Sequence, residues 1–250
     1  MQPDQIKIKI IVSVRSFFLL IITASLSMLS CQKIFFNGEE GRRDIHLEGF
    51  HTIKVSGIYN IILVQDSTDH LVITGENKIS SISASVNSDT LNITNSKKMS
   101  LNPDKNTLEI HFSTVERIVT WDPVNISGRG TIKAENLYLD ALGEIANINL
   151  VLDCKYLQLV NSANTLGNFY FKGKTGDCYL FNRYGCRIFA DSLLCRTAAV
   201  INESIGDVRI NASENLLAYI NGPGNIFYYG TPSVNIAEKR GTGNVIRITE

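Results

Sequence analysis

The sequence predicts an all-β chain whose second half is a β-solenoid with coils of about 19 residues, capped at one end by N-terminal strands. Two periodic series predict it. Asparagine recurs at Asn161, Asn182, Asn202 and Asn221, each directly after an apolar residue: Val160, Phe181, Ile201 and Ile220. A few residues later comes a polar residue followed by an apolar one: Asn147-Ile148, Asn168-Phe169, Arg187-Ile188, Asp207-Val208, Asn225-Ile226 and Asn244-Val245. These apolar anchors are spaced 21, 19, 20, 18 and 19 residues apart, and Ile132 sets the start of the run 16 residues before Ile148. Such a unit is too short for a helix pair or a propeller blade, but it suits one coil that lays short strands on the coil before it. Equivalent residues then lie about 4.8 Å apart, so an inward asparagine can bond the asparagine above and below it. The same spacing also suits exposed turn asparagines, because Asn tolerates left-handed backbone. Both placements keep the coils.

Taken in order, residues 1–31 have the layout of an export signal. Lys7, Lys9 and Arg15 precede the apolar run Phe17 to Ile22, a small-residue stretch follows, and the segment ends in Cys31. Its apolar core of about 14 residues is short of the roughly 20 that a membrane-spanning helix needs. Met28-Leu29-Ser30-Cys31 resembles a bacterial lipobox, which makes Cys31 the expected lipidation site and the membrane an expected partner through that anchor. The alternative is a general secretory signal with an incidental cysteine. Residues 32–43 are expected to be a linker, the polar stretch Asn37 to Arg43 serving as a tether.

Residues 44–114 read as an N-terminal β region. Thr52 to Val55, Tyr59 to Val64, His70 to Thr74, Ile82 to Val86, Thr90 to Thr94 and Leu108 to Phe112 alternate and are rich in Val, Ile and Thr. Turn residues separate them at Ser56-Gly57, Gly75-Glu76-Asn77 and Asn87-Ser88-Asp89, and the stretch Ser96 to Asn106 is expected to be a loop. Residues 115–250 hold the solenoid repeats. Their corners carry glycines two apart, in Ser127-Gly128-Arg129-Gly130, Asn221-Gly222-Pro223-Gly224 and Arg240-Gly241-Thr242-Gly243, a pattern expected to supply positive φ.

Two segments carry a family resemblance. The opening Phe50 to Asp66 (FHTIKVSGIYNIILVQD) and the closing Asn221 to Pro232 (NGPGNIFYYGTP) resemble the putative auto-transporter adhesin, head GIN domain family. The likeness covers most of Asp44 to Thr249. It implies a right-handed β-solenoid, export from a bacterium, often as a lipoprotein, and no catalytic residues. The middle departs from the family's Gly-Ser corners at Gly143-Glu144-Ile145 and Asn161-Ser162-Ala163-Asn164-Thr165, where a shared ligand surface is not implied.

Composition excludes some functions. The chain is 44% apolar and 19% charged with zero formal net charge, which describes a folded protein without the basic footprint of a nucleic-acid binder. Besides Cys31, the cysteines are Cys154, Cys178, Cys186 and Cys195; an exported compartment permits disulfides, but buried free thiols suit Cys as a small apolar residue. Gly173-Lys174-Thr175 ends like a phosphate-binding loop, yet Asn168 stands where its first glycine belongs. His46, His51, His70 and His111 show no metal-ligand spacing, and neither a cofactor nor a metal is expected.

The expected function is therefore that of an exported, lipid-anchored, non-enzymatic β-solenoid protein for adhesion or for envelope or glycan binding. It would sit in the periplasm or at the cell surface, anchored to the outer membrane of a Gram-negative bacterium. Aromatic clusters at Phe169 to Phe171, Tyr179 to Tyr184 and Phe227 to Tyr229 supply the binding candidates, with Tyr228 and Tyr229 the residues chosen. One alternative is a carbohydrate-active solenoid enzyme, a lyase or hydrolase, which needs acids gathered on one face. Asp140, Asp153, Asp177, Asp191 and Asp207 fall in different phases of the repeat, and Arg187 and Asp207 match in phase as a candidate ion pair. Another alternative is an envelope scaffold that associates through its solenoid ends.

Overall fold

The computed structural model describes residues 41–75, 79–95 and 106–249, all within one compact unit. The signal segment, Cys31, Glu76, Asn77 and nearly all of the Ser96 to Asn106 stretch lie outside the described residues. The strands are β1 (Gly41–His46), β2 (Thr52–Val55), β3 (Tyr59–Gln65), β4 (His70–Gly75), β5 (Ile82–Asn87), β6 (Thr90–Asn95), β7 (Asn106–Phe112), β8 (Arg117–Thr120), β9 (Val124–Ala141), β10 (Ala146–Asn161), β11 (Leu166–Ser204), β12 (Val208–Ile220), β13 (Ile226–Tyr229), β14 (Ser233–Lys239) and β15 (Val245–Arg247). A 3-10 turn at Ile79–Ser81 is the one helical element among the described residues. They form a β-solenoid of about 6 turns.

Each coil runs as three short stretches stacked in parallel on the coil before. The first stretch carries the apolar anchors: Ile126 pairs with Ile148 and Ile148 with Phe169, then Ile188 with Val208, Val208 with Ile226 and Ile226 with Val245. Ile148 thus stacks on Ile126, not on Ile132, which pairs with Leu152 in the second stretch. The two stretches are joined by Ser127 to Gly130, where the register shifts, and this lengthens the first coil. The third stretch pairs Asn136 to Ala141 with Tyr156 to Asn161, and on through Asp177, Thr197 and Asn215.

Alternation sends one residue in two to the interior. Phe169, Phe171, Leu157, Leu159, Leu180, Val200, Ile188, Ile210 and Ile226 are fully or nearly fully buried in a continuous core. Burying each large apolar side chain contributes about 1.5–3 kcal/mol, which is what holds the stacked coils together.

Both polar series are built into the stack, in different ways. Asn161, Asn182 and Asn202 are completely buried and in register. The Nδ2 of Asn182 donates to Oδ1 of Asn202 at 3.0 Å and to the carbonyl of Cys186 at 3.1 Å, while Oδ1 of Asn161 accepts the N–H of Arg183 at 2.9 Å. Asn221 is not part of this ladder: Asn202 stacks on Ile220, so Asn221 falls one residue out of phase and reaches Glu238 instead. The second series is a ladder from side chain to main chain. Oδ1 of Asn147 accepts the N–H of Asn168, Asp207 that of Asn225, and Asn225 that of Asn244, at 2.8 to 3.1 Å. Asp207 is thereby committed to the backbone of the next coil and does not pair with Arg187.

The corner glycines serve close approach more than handedness. Of the expected corner glycines, Gly130 alone has positive φ, at 85°. A Cβ on Gly206 would lie 2.1 Å from the carbonyl oxygen of Cys186, and the same 2.1 Å separates a Cβ on Gly224 from Gly206 O and one on Gly243 from Gly224 O. Backbone stacked on backbone leaves no room for a side chain.

Two boundaries differ from the sequence reading. Gly41 to Arg43, expected as the end of the linker, already belong to β1, because their main chain pairs with Ile73 to Gly75 of β4. Parallel stacking also begins well before residue 115. β2 and β3 lie between β6 and β7 on one side and β8 and β9 on the other, all in parallel register. The chain therefore lays down an inner layer first and returns to add the outer one. Antiparallel strands then close the outer layer, β5 on β6 and β4 followed by β1 on β7, covering edges that would otherwise stay unpaired.

Candidate functional site

Inward anchors on the first stretch force their neighbours outward. Asn149, Tyr170, Phe189, Arg209, Phe227 and Ile246 occupy that outward position, and the strand register pairs Asn149 with Tyr170, Phe189 with Arg209, Arg209 with Phe227 and Phe227 with Ile246. Tyr170 and Phe189 stack with ring centroids 4.7 Å apart and planes 6° from parallel. The Arg209 guanidinium lies 5.8 Å from the Phe189 ring centroid and 6.0 Å from that of Phe227. Four successive coils thus present ring, ring, cation and ring, repeating at the inter-strand spacing of about 4.8 Å. Such a strip offers flat apolar faces together with a charge that donates hydrogen bonds, the equipment for stacking on sugar rings or on a planar protein side chain.

The candidates chosen from sequence sit beside this strip. Tyr228 pairs with Ile210 and packs against the core, since 226 and 228 share the inward side of β13. Tyr229 is half-buried opposite Asn211 and borders a shallow surface groove of about 560 Å³ with Asp191 and Arg247. Phe189 and Arg209 were missed. Their signal was present as the residue directly after each anchor of the polar-apolar series, a column that is aromatic at Tyr170, Phe189 and Phe227.

The acidic residues do not converge. Asp140 holds Arg117 at 2.6 Å, Asp153 faces Lys174 at 3.4 Å, and Asp177 binds Arg196 at 2.7 Å and Thr197. Asp153 lies on the second stretch, and Asp140 and Asp177 lie at different register positions of the third, each already paired. The cysteines Cys154, Cys178, Cys186 and Cys195 are free and buried. Burial pushes the Cys186 thiol up to about 12, and a hydrogen bond with Cys195 together with burial raises Cys178, so both remain protonated thiols.

Histidines gather where their sequence spacing gave no hint. His46, His70 and His111 lie in one cross-strand row on β1, β4 and β7, and directly opposed residues of antiparallel strands share a face. The His70 and His111 rings stack at 3.8 Å and 18°. Nδ1 of His111 is 2.6 Å from Asp66 Oδ2, and its Nε2 is 2.9 Å from Glu109 Oε1, which Arg129 grips with both terminal nitrogens. The bond to His111 holds the Asp66 carboxyl below its ordinary range, and Arg129 does the same for Glu109.

Comparison with known proteins places this geometry in context. A family model described as putative auto-transporter adhesin, head GIN domain, matches residues 49–232. A solved putative adhesin from Bacteroides fragilis superposes with a TM-score of 0.78 at 24% identity, over 84% of this chain and 97% of that one. A putative adhesin from Parabacteroides merdae gives 0.67 at 19% identity, over 85% and 98%. A putative lipid binding protein from Parabacteroides distasonis gives 0.62 at 17%, over 85% and 98%. At these identities the likeness establishes the fold. No curated protein matches the chain.

Proposed function

Because this chain belongs to the putative auto-transporter adhesin, head GIN domain family, we propose that it is an exported, lipid-anchored binding protein that acts without chemistry of its own. Its ligand is a glycan or a glycan-bearing envelope or surface protein. Tyr170, Phe189, Arg209 and Phe227 form the binding face. The observation that carries the reading is their register, which sets one ring or cation on each of four successive coils. A repetitive ligand meets a repetitive surface, so weak contacts add along the column. Separately paired acids support binding in preference to glycan cleavage.

Retention of the purified protein on immobilised cell-wall polysaccharide and on host glycoprotein tests this. Phe189→Ala and Tyr170→Ala should each weaken retention by about 1 kcal/mol, the scale of one aromatic contact. Tyr228→Ala should lower stability without that selective loss. Retention unchanged in both strip variants removes the assignment, and glycan cleavage abolished by one Asp substitution would establish an enzyme instead. For the anchor, Cys31→Ala should move the protein out of the detergent-phase membrane fraction. An unchanged distribution with an unmodified thiol by mass spectrometry rules out lipidation.

A further inference from the structure

We propose that Asp66, His70 and His111 bind a divalent transition-metal ion of the zinc class at the capped end of the solenoid. Each offers a ligand atom, and the three atoms lie within 4.8 Å of one another. Zinc holds nitrogen and oxygen ligands at about 2.0–2.2 Å, so tetrahedral ligand atoms stand roughly 3.3 Å apart. The present distances bracket that value: Asp66 Oδ2 and His111 Nδ1 are closer, at 2.6 Å, and the widest pair is within 4.8 Å. The short contact is one proton shared by two ligand atoms. A metal ion takes that proton's place, and the pair opens to admit it.

The surroundings of His111 are those of a metal ligand. Its other nitrogen, Nε2, faces Glu109 at 2.9 Å, and a carboxylate there fixes the tautomer that leaves Nδ1 free to bind a metal. Arg129 in turn holds Glu109 with two hydrogen bonds at 2.6 and 2.9 Å, so the second carboxylate is itself oriented. The His111 side chain is 12% exposed and therefore fixed, whereas Asp66 at 37% keeps access to solvent. His70 stays adjustable: it is half-buried and hydrogen-bonded to Thr68 at 3.3 Å. Imidazole lone pairs lie in the ring plane, so the 3.8 Å stack of His70 on His111 must open by rotation of His70 when both ligate. Two imidazoles and one carboxylate favour Zn²⁺, Ni²⁺ or Cu²⁺ over Mg²⁺ and Ca²⁺, which take oxygen sets. A fourth position remains for water or for exposed His46, next in the same row.

Calorimetric titration of the chelator-washed full chain with Zn²⁺ tests the site, alongside Cu²⁺ paramagnetic resonance to count ligating imidazoles. One saturable equivalent of Zn²⁺ is expected, with nitrogen hyperfine structure from two rings and no response to Mg²⁺ or Ca²⁺. Asp66→Asn and His70→Ala, both near the surface, should weaken binding at least about 10-fold with an unchanged circular dichroism spectrum, and Glu109→Gln by about 10-fold through the orientation of His111. His51→Ala, which removes a histidine-carboxylate contact outside the site, should bind as the native chain does. Absence of saturable Zn²⁺ binding, or native affinity in both Asp66→Asn and His70→Ala, overturns the proposal.

Discussion

A single buried asparagine illustrates how much one side chain carries in a stacked coil. Asn182 has no solvent exposure, and its Nδ2 serves Asn202 and the Cys186 carbonyl on the neighbouring turn. Asn182→Ala deletes both bonds, each worth about 0.5–1.5 kcal/mol net, so it should cost about 1–3 kcal/mol in denaturant-induced unfolding even though Ser204 still donates to both acceptors. Asn164→Ala, at an exposed corner one coil earlier, should stay within about 0.5 kcal/mol. A titrating residue gives a second check. His51 lies 2.7 Å from Asp89, and that hydrogen bond, aided by the charges of Asp89, Glu116 and Asp69, raises its pKa above the ordinary 6.5 despite slight desolvation. A folded value above the unfolded one means that the contribution to stability is full below about pH 6.5 and fades as pH rises through the folded pKa. Proton NMR should place the His51 midpoint above 6.5, and Asp89→Asn should bring it down; a midpoint unmoved by that change would remove Asp89 as the cause.

At the scale of the coil, the corners set the tolerance to substitution. Gly224 and Gly130 look alike in sequence, each the second glycine of a G-x-G corner. In the stack they differ. A Cβ at Gly224 would meet the Gly206 carbonyl oxygen at 2.1 Å, whereas at Gly130 there is nothing within 4 Å and the obstacle is a φ of +85°. Gly130→Ala should therefore cost roughly 1–2 kcal/mol of local backbone strain. Gly224→Ala must push two stacked backbones apart and should cost more, with the larger drop in melting temperature. Equal losses would show that conformation, not the approach of one coil to the next, selects glycine at both corners. The glycine pattern was legible in the sequence, but its reason was not, because the obstructing atom belongs to a residue 18 positions earlier.

Across the molecule, stability should grade along the solenoid axis, since each coil contacts its immediate neighbours. The central coils are covered on both sides and their inward residues, Phe169, Phe171, Leu180 and Val200, are wholly buried. β14 is different: every residue but one is exposed, Val234 at 36% and Ile236 at 49%, and among the described residues it pairs with β12 alone. Amide hydrogen exchange should be fastest in β14 and β15, slowest from Phe169 to Val200, and intermediate in the antiparallel cap. Uniform protection from β10 to β15 would mean that the solenoid opens as a single cooperative unit.

Periodicity alone determined the solenoid, most strands and the inward anchors, because stacking repeats the same environment in every coil and so writes itself into the sequence at a fixed interval; it placed the asparagines in a column but left open whether they face the core, which the structure decides. That logic stops where the repeat stops. Ile132 fits the spacing yet belongs to another stretch, and Asn221 fits it yet falls one residue out of phase, since a shift of register is invisible until partners are known. The first half of β1 reads as linker in the sequence because Gly41 to Arg43 carry no apolar side chain, and their order comes from main-chain pairing with β4. The aromatic and arginine strip was half legible: its column could be read from the period, but the Tyr170–Phe189 stack and the place of Arg209 depend on side-chain packing between coils. His70 and His111 stand 41 residues apart and Asp66 lies in a turn, so no spacing rule links them. Only the tertiary structure, by folding β4 antiparallel onto β7 as the cap closes, brings their ligand atoms within reach of one ion, because antiparallel pairing sets side by side residues that the sequence separates by an arbitrary length of chain.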